Sequence, residues 1–192
     1  MIKKVILSVA LFSLSLPGFA REIYTPPSEN IKKFFAGTWE GTVNIGLAIP
    51  DSEVELESSH ILQFGIYHDI GSRMAVEFQY FFTGDFDSEF SAVTSLETSG
   101  FSASLRGYGK PGTFNLVYFG RLGISSWSTD FDNGSITTEA DSGSSLMLGF
   151  GAEKSLNPTT TISTEITYMD QLVQEGALTT FNIGIRKVLF ER

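Results

Sequence analysis

The 192-residue chain contains no cysteine, only six prolines and two histidines. Disulfides, on which small exported domains often depend to compensate for a thin core, are therefore excluded. The scarcity of proline favours long strands, because proline lacks the backbone N–H that a β-ladder needs. Glycine and phenylalanine are abundant, at 19 and 17 residues, which suits many strands joined by turns. An all-β domain follows as the first expectation.

The chain also lacks a hydrophobic run long enough for a transmembrane helix, which needs roughly 20 apolar residues. Its main apolar run covers residues 5–16, after Lys3 and Lys4 and before the small-x-small segment Gly18-Phe19-Ala20. This order is typical of a Sec signal peptide over residues 1–20, with cleavage after Ala20. The sequence thus excludes a helical membrane protein and predicts export.

Basic residues are few. The chain has 13 Lys and Arg against 22 Asp and Glu, and loss of residues 1–20 removes two lysines and no acid, leaving 11 against 22. Such an acidic protein is a poor partner for nucleic acid. We expect one exported domain over residues 38–192, preceded by a periplasmic N-terminal segment, residues 21–37, and no cofactor or metal.

What the sequence does contain is a two-residue alternation of apolar and polar side chains, which indicates β-strands with one apolar face. In RMAVEFQYFF, residues 73–82, Met74, Val76 and Phe78 alternate with Ala75 and Glu77. Eight segments with this pattern are predicted as strands: 38–49, 59–69, 73–83, 96–108, 114–127, 144–155, 159–170 and 178–190.

The connections between these segments alternate in length. Those after strands two, four and six are short: DIGS, GKPGT and the Asn157-Pro158 turn. Those after strands one, three, five and seven are long: PDSEVELES, GDFDSEFSAVTS, STDFDNGSITTEADSG and DQLVQEGA. Long strands in an up-and-down order, with short turns at one end and long loops at the other, are typical of outer-membrane β-barrels.

The apolar faces have two possible environments. They line the ligand cavity of a soluble, lipocalin-type barrel, or they face lipid and leave the polar faces inside. The polar faces carry four acids, three arginines and no lysine: Glu40, Glu77, Arg106, Arg121, Glu153, Glu165 and Arg186. Buried charges must be paired, and the planar guanidinium suits this role. Small residues such as Gly149 and Gly151 would give long side chains room in a narrow lumen.

These charges predict a lumen ionic network. In up-and-down order the expected neighbours are Glu77 with Arg106, Glu153 with Arg121, and both Glu165 and Glu40 with Arg186. The apolar faces end in aromatic residues that suit membrane interfaces: Trp39, Tyr80, Tyr118 and Tyr168. We therefore predict an eight-stranded antiparallel up-and-down transmembrane β-barrel with lipid outside and Glu77 inside.

Three stretches resemble the OmpA-like and OmpX-like outer-membrane β-barrel family. They are FSASLRGYGKPGTFNLVYFGRLGISSW at 101–127, LGFGAEKSLNPTTTISTEITY at 148–168, and the last strand, FNIGIRKVLF. The resemblance implies a monomeric outer-membrane barrel that folds through the barrel-assembly machinery. Here the spacing from Gly184 to Phe190 is one residue longer than usual, which predicts a bulge, and Glu191-Arg192 follow the terminal aromatic.

The function expected from these features is structural or interactive: envelope integrity, adhesion or colonisation through acidic extracellular loops. The four long loops contain 13 acids and no Lys or Arg. Asp85, Asp87, Asp130 and Asp132 are candidate contacts for a cation or a partner, such as lipopolysaccharide or a host or phage surface molecule. The alternative is a narrow channel for ions or small solutes. A lipid hydrolase needs a base and nucleophile in contact, and neither His60 nor His68 lies in such a motif.

Overall fold

The computed structural model describes residues 37–51, 57–86, 95–109, 116–132, 137–173 and 176–191. These residues form eight strands: β1 Thr38–Pro50, β2 Ser59–Gly71, β3 Met74–Thr83, β4 Ser95–Tyr108, β5 Val117–Asp132, β6 Thr137–Asn157, β7 Thr160–Val173 and β8 Gly176–Glu191. Each strand pairs antiparallel with its neighbours, and β8 closes on β1. The predicted fold is confirmed. Nowhere in the described ranges does a helix occur with the length and apolar character needed to cross a membrane.

The apolar faces of the strands point outward. On β3, Phe78 and Tyr80 are 48% and 39% exposed, whereas Glu77 before them and Phe81 after them are at most 1% exposed. The same alternation continues around the barrel, so that large apolar side chains cover the outside and charged ones lie within. An aqueous exterior would oppose so much exposed apolar surface, and a bilayer removes that cost.

The strands are tilted, as their register shows. A row of paired residues starts at Lys154 on β6, passes through Ile162 on β7, Ile185 on β8 and the next five strands, and returns to β6 at Ser144. One circuit therefore shifts the register by ten residues. For eight strands this stagger corresponds to a tilt of about 40° from the barrel axis. Residues paired on neighbouring strands consequently lie at different heights.

Two ends of the barrel can be distinguished. At the turn end, β2 passes to β3 and β6 passes to β7. At the loop end lie the four connections that the sequence predicts as long. The Asn157-Pro158 turn is tight, and the Asn157 side-chain oxygen accepts hydrogen bonds from the backbone N–H and the hydroxyl of Thr159, both at 3.0 Å. Asparagine favours turns because its side chain bonds the backbone two residues on.

Two of the predicted long loops are wrong. Residues 128–143 and 170–177 were expected to be loops, but β5 and β6 continue to Asp132 and from Thr137, and β7 and β8 to Val173 and from Gly176. The ladder pairs Ser128 with Ser142, beyond the apolar exterior. The outward positions at the start of this hairpin, Ser126, Ser128, Ser142 and Ser144, are all serine, so the apolar alternation of the lipid-facing strands stops there. The backbone pairs nonetheless, and the sequence pattern cannot reveal it.

The predicted bulge near the C-terminus is present. On β1, Trp39 pairs with Phe190, but the next residue, Glu40, pairs with Val188, so Leu189 is the additional residue on β8. Leu189 projects outward with 57% exposure. The bulge explains how the longer spacing before Phe190 still places this aromatic ring 6.2 Å from Trp39 at the turn end.

Candidate functional site: the charged lumen

The centre of the lumen holds two arginines and two glutamates in mutual contact. Arg106 donates to Glu77 at 2.7 Å and to Glu165 at 3.1 Å. Arg121 donates to Glu165 at 3.2 Å and lies 3.6 Å from Glu77. Each carboxylate thus bridges both guanidinium groups, and all four side chains are at least nine-tenths buried. The pairing and hydrogen bonding offset the large cost of burying charge.

A second group of charges lies toward the turn end, centred on Arg186. Its two terminal nitrogens donate to the two carboxylate oxygens of Glu153 at 3.1 and 3.0 Å, a bidentate pair, and its Nε contacts Glu40. The guanidinium also stacks 3.8 Å from the centre of the Tyr67 ring. A 3.9 Å contact between Arg106 and Glu153 connects this group to the central one.

The structure brings together all seven charged residues predicted for the lumen, but with partly different partners. The contacts Glu77–Arg106 and Glu40–Arg186 are those expected. The expected contacts of Glu153 with Arg121 and of Glu165 with Arg186 are wrong. Glu153 instead binds Arg186, and Glu165 binds both Arg106 and Arg121. Strand order alone ignores the ten-residue stagger. Arg121 and Arg186 reach acids two strands away, Glu165 and Glu153, instead of the acid on the strand in between.

Uncharged side chains complete the network, and sequence reasoning had assigned them no part. Gln79 bonds Glu77 at 2.9 Å and accepts from Arg121, which also donates to Ser104 at 2.9 Å. The Tyr67 hydroxyl bonds Asp69 at 2.7 Å and Tyr108 at 2.8 Å. Gln79 shares the parity of Glu77 on β3, and Ser104 and Tyr108 share that of Arg106 on β4. Tyr67 and Asp69 share the inward parity of β2. That parity was the available signal.

Glycines make room for these side chains. A Cβ at Gly149 would lie 2.6 Å from the Glu165 Oε1 atom, and a Cβ at Gly151 would lie 2.4 Å from the Phe119 ring. Phe119 in turn supports Arg106, whose guanidinium carbon is 4.3 Å from the ring centre. The glycines of β6 therefore permit the crowded packing of a narrow lumen.

The loop end of the lumen is apolar, which the sequence analysis did not anticipate. A buried cluster fills it with side chains that are at most 6% exposed: Ala48, Ile61, Phe81, Phe86, Leu96, Trp127, Met147, Met169 and Leu178. Trp127 donates its indole N–H to Ser145 at 2.8 Å. From turn end to loop end, the lumen therefore passes from charged to apolar side chains.

The remaining predicted contacts lie at the loop end. Asp85 and Asp130 are exposed there, whereas Asp87 and the side chain of Asp132 lie outside the described residues. The described residues contain no group of three His, Cys, Asp or Glu side chains arranged to hold a metal ion.

The two histidines lie at opposite ends of the barrel. His60, at the loop end, packs its ring where a side chain at Gly84 would stand. His68 is buried at the turn end, where it stacks on Trp39 at 4.2 Å and lies 3.1 Å from the Thr38 carbonyl oxygen. Both positions have a packing explanation.

A closed barrel with an apolar exterior and a charged lumen defines the class of outer-membrane β-barrels. The family model described as "Outer membrane protein beta-barrel domain" matches residues 7–186, and the chain belongs to this family. No curated protein matches the sequence.

Several solved barrels are similar in structure. Neisserial surface protein A has a TM-score of 0.61 at 10% identity, over 78% of this chain and 96% of that one. OprG from Pseudomonas aeruginosa has a TM-score of 0.57 at 14% identity, over 82% and 97%. Ail, the attachment invasion locus protein of Yersinia pestis, has a TM-score of 0.52 at 16% identity, over 80% and 99%. At these identities the similarity establishes the fold alone.

Proposed function

We propose that this protein is a surface barrel of the outer membrane whose acidic loop end contacts a cationic partner outside the cell. The observation that carries this proposal is the hairpin formed by β5 and β6. Its outward apolar residues end at Ile124 and Leu146, and the outward positions beyond them are Ser126, Ser128, Ser142 and Ser144. The hairpin continues past this boundary for roughly 20 Å along the strands. A polar ladder of this length suits contact in water.

The charge of the loop end indicates the chemistry of the partner. The exposed acids described there are Glu57, Asp85, Glu97, Asp130, Asp141 and Asp170. The four connections predicted as loops contain no Lys or Arg. These acidic side chains repel anionic groups and attract cationic ones over about one Debye length. The loop end therefore favours a basic host or phage surface molecule over lipopolysaccharide, whose phosphates the acids would repel.

The test uses intact cells that produce the protein, because only the outer end of the barrel is then accessible. We expect these cells to bind fluorescent poly-L-lysine more than cells lacking the protein, and not to bind fluorescent heparin. The variant D130N/D141N should reduce the gain about two- to fivefold for each charge removed. The control is D69N, which neutralises one exposed acid at the opposite end and keeps the Oδ1 atom that accepts from the Tyr67 hydroxyl; losses are compared per charge removed. Equal losses in the two variants, or no loss in D130N/D141N, would contradict the proposal.

A further inference from the structure

The outer surface near the turn end carries two exposed lysines, Lys154 on β6 and Lys187 on β8. Both lie on the outward-facing parity of their strands, Lys187 directly after Ile183 and Ile185, which are 66% and 49% exposed. Among the described residues, no ion pair involves either ammonium group. Two cations thus stand unpaired at the border of the apolar exterior.

The barrel register places the two lysines at nearly the same height. Lys154 pairs with Ile162 on β7, and Ile162 pairs with Ile185 on β8. At a tilt of about 40°, this row rises roughly 3 Å per strand toward the loop end. The two residues from Ile185 to Lys187 descend again by roughly 5 Å. The two Cα atoms are therefore level and roughly 11 Å apart across β7.

The surface around the lysines is apolar on both sides. On the side of the loop end lie Ile162 and Ile185, and on the side of the turn end lie Leu156 and Leu189. These four side chains are between 40% and 57% exposed. Thr160 pairs with Lys187 on the strand between the two lysines. Lysine at a membrane border extends its apolar stem along the surface and places its ammonium at the headgroups. The arrangement suits a molecule with acyl chains and one anionic headgroup.

We propose that Lys154 and Lys187 bind the phosphate of an anionic glycerophospholipid, such as phosphatidylglycerol, in the leaflet at the turn end. Both ammonium groups can reach one headgroup from opposite sides of β7, and the Thr160 hydroxyl lies between them as a further donor. The acidic residues of the loop end lie at the far side of the bilayer and do not compete. The inference is independent of the partner proposed for the loop end.

Trp39 provides a reporter for this site. It lies at the turn end, 6.2 Å from Phe190 of β8, whereas Trp127 is buried inside the barrel. The protein is placed in phosphatidylcholine bilayers with a rising fraction of brominated phosphatidylglycerol, and quenching of Trp39 gives the relative binding constant of the two lipids. Because each basic residue near an anionic headgroup contributes about fivefold, we expect a preference of about tenfold or more that weakens at high salt.

Two double variants test the role of the charges. K154Q/K187Q should bring the preference close to one, and K154R/K187R should retain it. Gel mobility before and after boiling verifies folding of each variant. If K154Q/K187Q does not fold, the lipid preference of the single variant K187Q and the salt dependence of the preference in the unmodified protein test the proposal instead. A preference near one in the unmodified protein, an unchanged preference in K154Q/K187Q, or stronger quenching by brominated lipid A would overturn the inference.

Discussion

Glu165 holds two arginines at once, and this makes it the most consequential single residue of the lumen. Its carboxylate contacts Arg106 at 3.1 Å and Arg121 at 3.2 Å, and its side chain is 4% exposed. Glu40, by comparison, contacts Arg186 alone and its side chain is 15% exposed. Removing one partner of a buried ion pair leaves the other charge uncompensated, whereas water compensates a partly exposed one.

We therefore expect E165Q to lower the free energy of unfolding by about 3–5 kcal/mol. E40Q, the matched control, should lower it by about 1 kcal/mol or less. Urea titration of the protein folded in lipid vesicles measures both. Equal effects would show that Glu165 does not link the two arginines in the folded barrel.

At the scale of elements, the β5–β6 hairpin depends on contacts at its base. Trp127 of β5 packs on Gly143 of β6 and donates a hydrogen bond to Ser145. These contacts are buried in the apolar cluster, next to Met147. Beyond them β5 pairs with β6 on one side and with β4 as far as Asp132 on the other, and the Thr129 hydroxyl hydrogen-bonds that of Thr98 at 2.9 Å. The packing of Trp127 therefore supports the hairpin together with its pairing to β4.

S145A leaves the Trp127 N–H without this acceptor, a loss of about 1–3 kcal/mol for a buried donor. We expect backbone amides of β5 and β6 beyond Ser128 and Ser142 to exchange with deuterium about tenfold faster or more. S144A is the control, because this neighbouring hydroxyl faces outward and is exposed. Faster exchange in both variants to the same degree would mean that the Trp127 contact does not support the hairpin.

At the scale of the whole molecule, the lumen is filled by two kinds of side chain in two successive parts. Charged side chains occupy it from the turn end to its centre, and apolar side chains occupy the loop end. Interiors of eight-stranded barrels are just wide enough for side chains to fill. Replacing Arg121 by an uncharged residue would leave the apolar cluster in place. Truncating Met147 and Met169 would leave the ionic network in place.

We expect the unmodified protein and R121A to show no steady unit conductance in planar bilayers. M147A/M169A should conduct, because truncating these two side chains lets water, and with it ions, pass through the apolar cluster at the loop end. If R121A alone conducts, the ionic network and not the apolar cluster closes the lumen, and the channel alternative gains support. Compact, SDS-resistant mobility that shifts on boiling verifies that each variant remains a barrel.

Much of this molecule was predictable from its sequence because a strand in a lipid-facing barrel must alternate. Phe78 must face outward if Glu77 faces inward, and this rule identified the strands, their environment and the lumen charges. It was insufficient for the hairpin from Ser126 to Ser144, where the first outward positions are serines and no apolar alternation marks the strands. It did not predict the apolar cluster around Phe81 and Met147, because the inward parity was taken to be polar along its whole length.

The sequence by itself determined which residues face lipid, which charges are buried and where the last strand carries an extra residue. Tertiary structure alone decided which charges meet. Glu165 contacts Arg106 and Arg121 rather than Arg186 because closure with a ten-residue stagger changes the height at which each strand presents its side chains. A stagger belongs to the closed sheet as a whole. No single strand encodes it, so strand order predicted the members of the network but not all of its contacts.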